Sequence, residues 1–259
     1  ISGNQLKAAA RFDFEAKNSY SVRVRSTDQG GLYTEQPFTI AVTDLAGEVD
    51  FEVVGQWGGQ VTDVAVSGNY AYVTLVGGAD PHSLLAVFSL SEPALPRLVG
   101  TLALSACAKG IEVADGHAYV SAKSTEFPRG RLLVIDVSDP AHPTLKTTAS
   151  FETFGQCISV AGGLAYVGGV LQPGGTDARV EIIDISNPSQ ALVVGGFDLT
   201  GCSGGVMAIA AEGCLLHCCT MYQSYYDVFD RTDPLNPFPI GRWELTPEGC
   251  VTSIRVIGS

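Results

Sequence analysis

The chain has 259 residues, 46% apolar and 16% charged, enough apolar material for one or two domains with real cores. Its formal net charge is −12 and its 15 Lys and Arg are scattered, which argues against nucleic acid, because a phosphate backbone needs clustered cations. No apolar run approaches the ~18 residues of a membrane-spanning helix, and no signal-peptide pattern follows Ile1.

Residues 1–44 read as strands and turns. Ser2–Asn4 is a turn. Tyr20–Arg25 (YSVRVR) alternates apolar and polar, the period of a strand with one buried face. Asp28-Gln29-Gly30-Gly31 is a turn with Asp28 as its cap, and Phe38–Val42 (FTIAV) alternates again. Phe12-Asp13-Phe14-Glu15, then Tyr20, Val22, Val24, Ser26, Asp28 and Gly30, are spaced like the signature of the cadherin repeat, and Phe38–Asp44 resembles that family's terminal strand running into its linker. The resemblance implies the second half of a cadherin-like Greek-key sandwich over 1–44, with the first half upstream of Ile1. It also implies calcium at Asp13, Glu15 and Asp44, since Ca²⁺ takes six to eight hard oxygen ligands. The family's linker continues with Asn-Asp, whereas Asp44 is followed by Leu45-Ala46-Gly47, so the implied site is weak.

Residues 45–50 form a linker, and a period begins at Phe51. RLLVIDVSDP (Arg131–Pro140) recurs as RVEIIDISNP (Arg179–Pro188), and in eroded form at Ser83–Pro93 and Tyr225–Pro234. The four prolines stand 47, 48 and 46 residues apart, and Tyr72, Tyr119 and Tyr166 are each 47 apart. Each unit reads as four strands. The first is Val61–Val66, Lys109–Val113 or Gln156–Val160, and the second is Tyr70–Val76, His117–Ala122 or Leu164–Val170, joined by a glycine turn. The third is the RLLVIDV element. The fourth is Arg97–Leu104, Thr144–Phe151, Ala191–Phe197 or Phe238–Leu245. Four strands in about 47 residues is the size of a β-propeller blade. Phe51–Trp57 resembles a fourth strand without its blade, and Val251–Val256 resembles the first strand of a fifth. The expected fold is therefore all-β, a partial sandwich followed by an incomplete propeller over 51–259.

The pattern Gly-x-Ala-Tyr-Val, a Leu-Val-Ile-Asp strand and Ser-[Asn/Asp]-Pro resembles the LVIVD repeat. Copies two and three match well, and copies one and four are degenerate. The resemblance implies a propeller on a secreted or surface protein, with no reaction attached.

No G-x-S-x-G, H-E-x-x-H or phosphate-loop pattern occurs. Asp136 and Asp184 end third strands and are expected to accept N–H groups of the proline turns. Cys107, Cys157, Cys202 and Cys250 fall roughly once per repeat near the first strand. They read either as compact semi-buried hydrophobes or as a thiol ring around the axis able to hold a soft metal. Cys214-x₃-Cys218 is half a zinc pattern, and in an oxidising compartment a local disulfide is the expectation. The expected function is a non-enzymatic module of a large extracellular or surface protein, binding protein or surface polysaccharide with calcium-stiffened domains. Its parent would be anchored to a membrane or wall. The alternative is an enzyme or small-ligand binder using the propeller channel.

Overall fold

The computed structural model describes residues 17–41, 60–76, 83–126, 129–171, 177–202, 204–221, 225–244, 251 and 253–256. The chain divides into two compact units, 1–52 and 53–259.

In the first unit β1 (Ser19–Thr27) pairs antiparallel with β2 (Tyr33–Ala41). Asp28 Oδ1 closes the turn by accepting from Gly30 and Leu32 N–H at 2.8 and 2.9 Å. The second strand begins at Tyr33 rather than Phe38, because Glu35 is held across the ladder by Arg25, whose Nε donates at 2.6 Å.

Among its described residues the second unit has four antiparallel sheets of four strands, each wound in chain order. The first is β3 (Val61–Ser67), β4 (Tyr70–Val76), β5 (Ser83–Ser89) and β6 (Arg97–Leu104). The second is β7 (Cys107–Ala114), β8 (His117–Lys123), β9 (Gly130–Asp136) and β10 (Thr144–Phe151). The third is β11 (Phe154–Ala161), β12 (Leu164–Val170), β13 (Ala178–Asp184) and β14 (Leu192–Leu199). The fourth is β15 (Val206–Glu212), β16 (Leu215–Thr220), β17 (Tyr225–Asp230) and β18 (Phe238–Glu244). The first strands β3, β7, β11 and β15 pack side by side in succession, so the sheets are blades arranged around an axis. This is the incomplete propeller expected from the period.

Local chemistry builds each blade. The first hairpin turns at Asp115-Gly116 and Gly162-Gly163 with positive φ at both residues, which matches the right-handed twist of the flanking strands. A bulge interrupts the first pair and another the last pair of every blade, adding twist where the sheet must fan outward.

The core lies between blades rather than within them. Tyr72, Leu85 and Val87 of the first blade pack with Ala118, Val120, Leu133 and Ile135 of the second. Tyr119, Leu132 and Val134 meet Ala165, Val167 and Ile183, and Tyr166, Val180 and Ile182 meet Leu216, Cys218 and Phe229. Tyr72, Tyr119 and Tyr166 occupy one register position, opposite Ala65, Glu112 and Ser159, and all three are buried against the following blade.

Among the described residues no blade covers the first strand as the first blade covers the second. Val64 is 52% exposed, whereas Ile111, its counterpart in the second blade, is 5% exposed under the first. Phe51–Trp57 lies outside the described residues. Residues 251 and 253–256 form no strand, contrary to the expected start of a fifth blade. A first strand gains its ladder from a second strand, and among the described residues none pairs with this stretch.

Candidate functional site

The recurrent carboxylates belong to the turns. Asp136 Oδ1 accepts from the Ser138 hydroxyl at 2.6 Å and its N–H at 3.0 Å, Asp184 from Ser186 N–H, and Asp230 from Thr232. The Ser138 hydroxyl, then Lys146, holds the Asp136 carboxyl far below the usual range. The next acidic or amide residue, Asp139, Asn187 or Asp233, caps the proline turn through the N–H two positions on. The whole Asp-x-Ser-Asp-Pro pattern is turn chemistry, as expected for Asp136 and Asp184.

A second polar set joins the blades. The first strand of each blade is its inner edge, with N–H groups that no ladder satisfies. The preceding blade supplies acceptors. Asp63 Oδ2 accepts from Ile111 N–H at 2.9 Å, Glu112 Oε2 from Val160 N–H at 2.5 Å, and Ser159 Oγ from Ala211 N–H at 3.0 Å. Burial raises the proton affinity of Glu112, against the bonds from Val160 and Ser159. These three side chains of the first strands are thus bonded to the backbone of the following blade. Three different residue types do this at two register positions, so the sequence carries no recurrent signal for them.

A cleft opens between the third and fourth blades. One lobe, about 510 Å³, is lined by Asp177, Asp198, Thr200 and Cys202 among others. A second, about 420 Å³, shares Asp198 and Thr200 and adds Phe229, Asp227 and Arg242. Asp227 is 2% exposed and is held by Arg242 through Nε at 2.6 Å and Nη2 at 3.0 Å. Arg242 Nη1 also donates to the Thr200 carbonyl at 2.8 Å, tying the two blades together. Opposite, Arg179 Nη1 donates to Asp198 Oδ1 at 2.7 Å and Nε to buried Glu181 at 3.2 Å. These ion pairs use one another's hydrogen-bonding capacity and shape the cleft walls.

Among the described residues the thiols do not form a ring. Cys157 faces Gly168, a register position that Gly110 holds in the second blade. Cys107 stands three residues earlier, level with Phe154, and Cys202 precedes β15. Cys250 lies outside the described residues. Neither Cys214 nor Cys218 forms a disulfide, so the expected local bridge between them does not form. The reason is distance: four steps along an extended strand span about 13 Å, whereas bridged Cα atoms stand at most ~7 Å apart. Burial pushes the Cys157 and Cys218 thiols up, away from the reactive thiolate. No group of three metal-ligating side chains comes together among the described residues. Asp13, Glu15 and Asp44 lie outside them.

The last place of interest is the trailing face of the fourth blade. Trp243 pairs with Tyr226 as Phe197 pairs with Val180 in the third blade. Phe197 packs against Phe229 of the next blade at 4.7 Å between ring centroids, but Trp243 is 55% exposed. Tyr226 stands 5.6 Å from Trp243 and stacks on His217 at 5.9 Å. Phe238 and Ile240 on the same strand are exposed as well. His217 occupies the tyrosine position of the repeat, which aligning LLHCCT with LAYVGG would have revealed.

Three stretches, residues 58–103, 107–150 and 155–198, match the LVIVD repeat and together cover just over half of the chain. Among solved structures, the periplasmic gluconolactonase of Pseudomonas aeruginosa is similar over 90% of this chain and 70% of its own, with TM-score 0.61 at 11% identity. A functionally unknown protein from Desulfotomaculum acetoxidans is similar over 74% of this chain and 60% of its own, with TM-score 0.58 at 12% identity. At these identities the likeness is one of fold alone. No curated protein matches the sequence.

Proposed function

This chain belongs to the LVIVD repeat family, and we propose that it serves as a non-enzymatic interaction module of an extracellular or cell-surface protein. The observation that carries this reading is Trp243. It stands where Phe197 packs between blades, yet lies open, and Phe238 and Ile240 on the same strand are exposed as well. Exposed aromatic and apolar side chains gathered on one strand suit a protein-binding site, and Trp is among the side chains enriched at the energetic centre of such sites. The partner we infer is another protein. The acidic composition suits an extracellular setting, and calcium at Asp13, Glu15 and Asp44 belongs to the same reading, through the cadherin-like resemblance of residues 1–44.

The immobilised chain, exposed to surface proteins of its own cell, should retain a saturable partner that Trp243→Asp releases. Leu145→Asp, at an exposed site on β10, should leave it bound. Equal retention by both variants would move the interface elsewhere. Turnover of any small substrate by the chain would overturn the non-enzymatic reading.

A further inference from the structure

The fourth blade departs from the repeat at one buried position. Across β16, His217 faces Ala210 and Val228, the place that Tyr72, Tyr119 and Tyr166 hold in the other blades. The residue is 7% exposed. Its Nδ1 lies 2.8 Å from the Tyr226 hydroxyl, and the two rings are 13° from parallel. Its Nε2 is shielded from solvent and has no hydrogen-bond partner. A neutral imidazole has one donor and one acceptor nitrogen, so either tautomer leaves one group at Nε2 unpaired. An imidazolium would bring a second N–H and a full charge into the same place, where neither is compensated.

The groups around the ring do not reverse this. Glu212, at the end of β15, is the carboxylate whose field favours the charged form, and it is exposed and screened. On β16 the near titratable group is the Cys219 thiol, on β17 the Tyr226 hydroxyl, and β18 contributes Trp243. Burial outweighs Glu212, and the ring's proton affinity falls below the ordinary value.

We propose that His217 makes the fourth blade an acid-sensitive element: proton uptake by its imidazole loosens β15–β18 and the Trp243 face they carry. The three tyrosine-bearing blades have no such group at this position. The sign follows from linkage. The folded state binds the proton more weakly than the unfolded chain, so the unfolded state holds more protons below about pH 6.5. Stability is full above that pH and falls as pH drops, by up to about tenfold in the folding constant per pH unit.

Urea unfolding of the whole chain between pH 7.5 and 5 tests this, in a Trp57→Phe background so that emission comes from Trp243 alone. The parent should lose midpoint on acidification, and His217→Tyr, which restores the residue of the other blades, should flatten the loss. His217→Gln should flatten it too and guards against a tyrosine that does not fit. NMR titration of the His217 ring should show a midpoint below that of an ordinary imidazole, matched by a red shift of Trp243 emission. Equal acid loss in parent and both variants, or a ring that titrates at or above ~6.5, would overturn the proposal. Neither readout depends on a binding partner, so the interaction reading stands or falls separately.

Discussion

The Tyr166 hydroxyl donates to the Pro234 carbonyl, 3.1 Å away, so a side chain of the third blade holds the proline turn of the fourth. Arg231 Nη1 donates to the same hydroxyl at 3.2 Å, with its guanidinium 5.5 Å from the ring centre. Arg231 Nε is already buried without a partner. Tyr166→Phe keeps the ring and removes both bonds. It should cost about 1–2 kcal/mol, read as a lower urea midpoint at unchanged slope.

Glu112 separates a hydrogen bond from a charge. Glu112→Ala leaves the Val160 N–H without its acceptor and should destabilise by about 1–3 kcal/mol at pH 7. Glu112→Gln keeps an acceptor oxygen and drops the buried charge, so it should be nearly neutral or stabilising at pH 7. Burial raises the folded-state proton affinity of Glu112, so the folded state binds more protons than the unfolded chain. Its contribution therefore weakens as pH rises through the carboxylate range and above. A pH series of denaturation midpoints should show that component in the parent and lose it in Glu112→Gln.

Arg242→Met strands the buried Asp227 carboxylate beneath the cleft. Breaking one side of such a pair costs about 3–5 kcal/mol. The double variant Arg242→Met with Asp227→Asn should recover much of that loss. A double-mutant cycle by chemical denaturation measures both. Additive losses would mean that Asp227 does not depend on Arg242.

Gly100 on β6 marks a close approach between blades. A Cβ there would lie 2.2 Å from the Pro140 carbonyl oxygen, which is backbone and cannot swing aside. Gly100→Ala should force the second blade's proline turn away and cost about 1–3 kcal/mol. Gly162→Ala, with open space around its Cβ but a positive φ, should cost less, about 1 kcal/mol. Thermal melts of the two variants rank the effects.

Calcium binding by Asp13, Glu15 and Asp44 should be weak, in the ~10⁻⁴–10⁻³ M range of extracellular modules. Calorimetric titration of the parent should show it, and Asp13→Asn should abolish it. Flat, identical titrations up to ~10 mM calcium would leave the three acids as surface charges.

Much of this molecule is legible in its sequence because it is local. The Gly-x-Ala-Tyr-Val hairpins, the Asp-x-Ser-Asp-Pro turns and the strands between them follow from alternation, positive φ and turn capping, each settled within a few residues. β4, β6, β10 and β12 fall where the pattern alone puts them. The period then implies blades, since a sheet apolar on both faces must be covered on both. The acceptors Asp63, Glu112 and Ser159 were not legible, because each satisfies an N–H some 50 residues away and any acceptor will serve. Nor was the staggering of the thiols, since a spacing near 47 fixes the blade but not the register within it. The isolation of His217 Nε2 and the exposure of Trp243 also depend on tertiary structure. Both occupy ordinary repeat positions, and what packs against each, which decides whether a polar atom is satisfied or an aromatic ring covered, is set only when the blades come together.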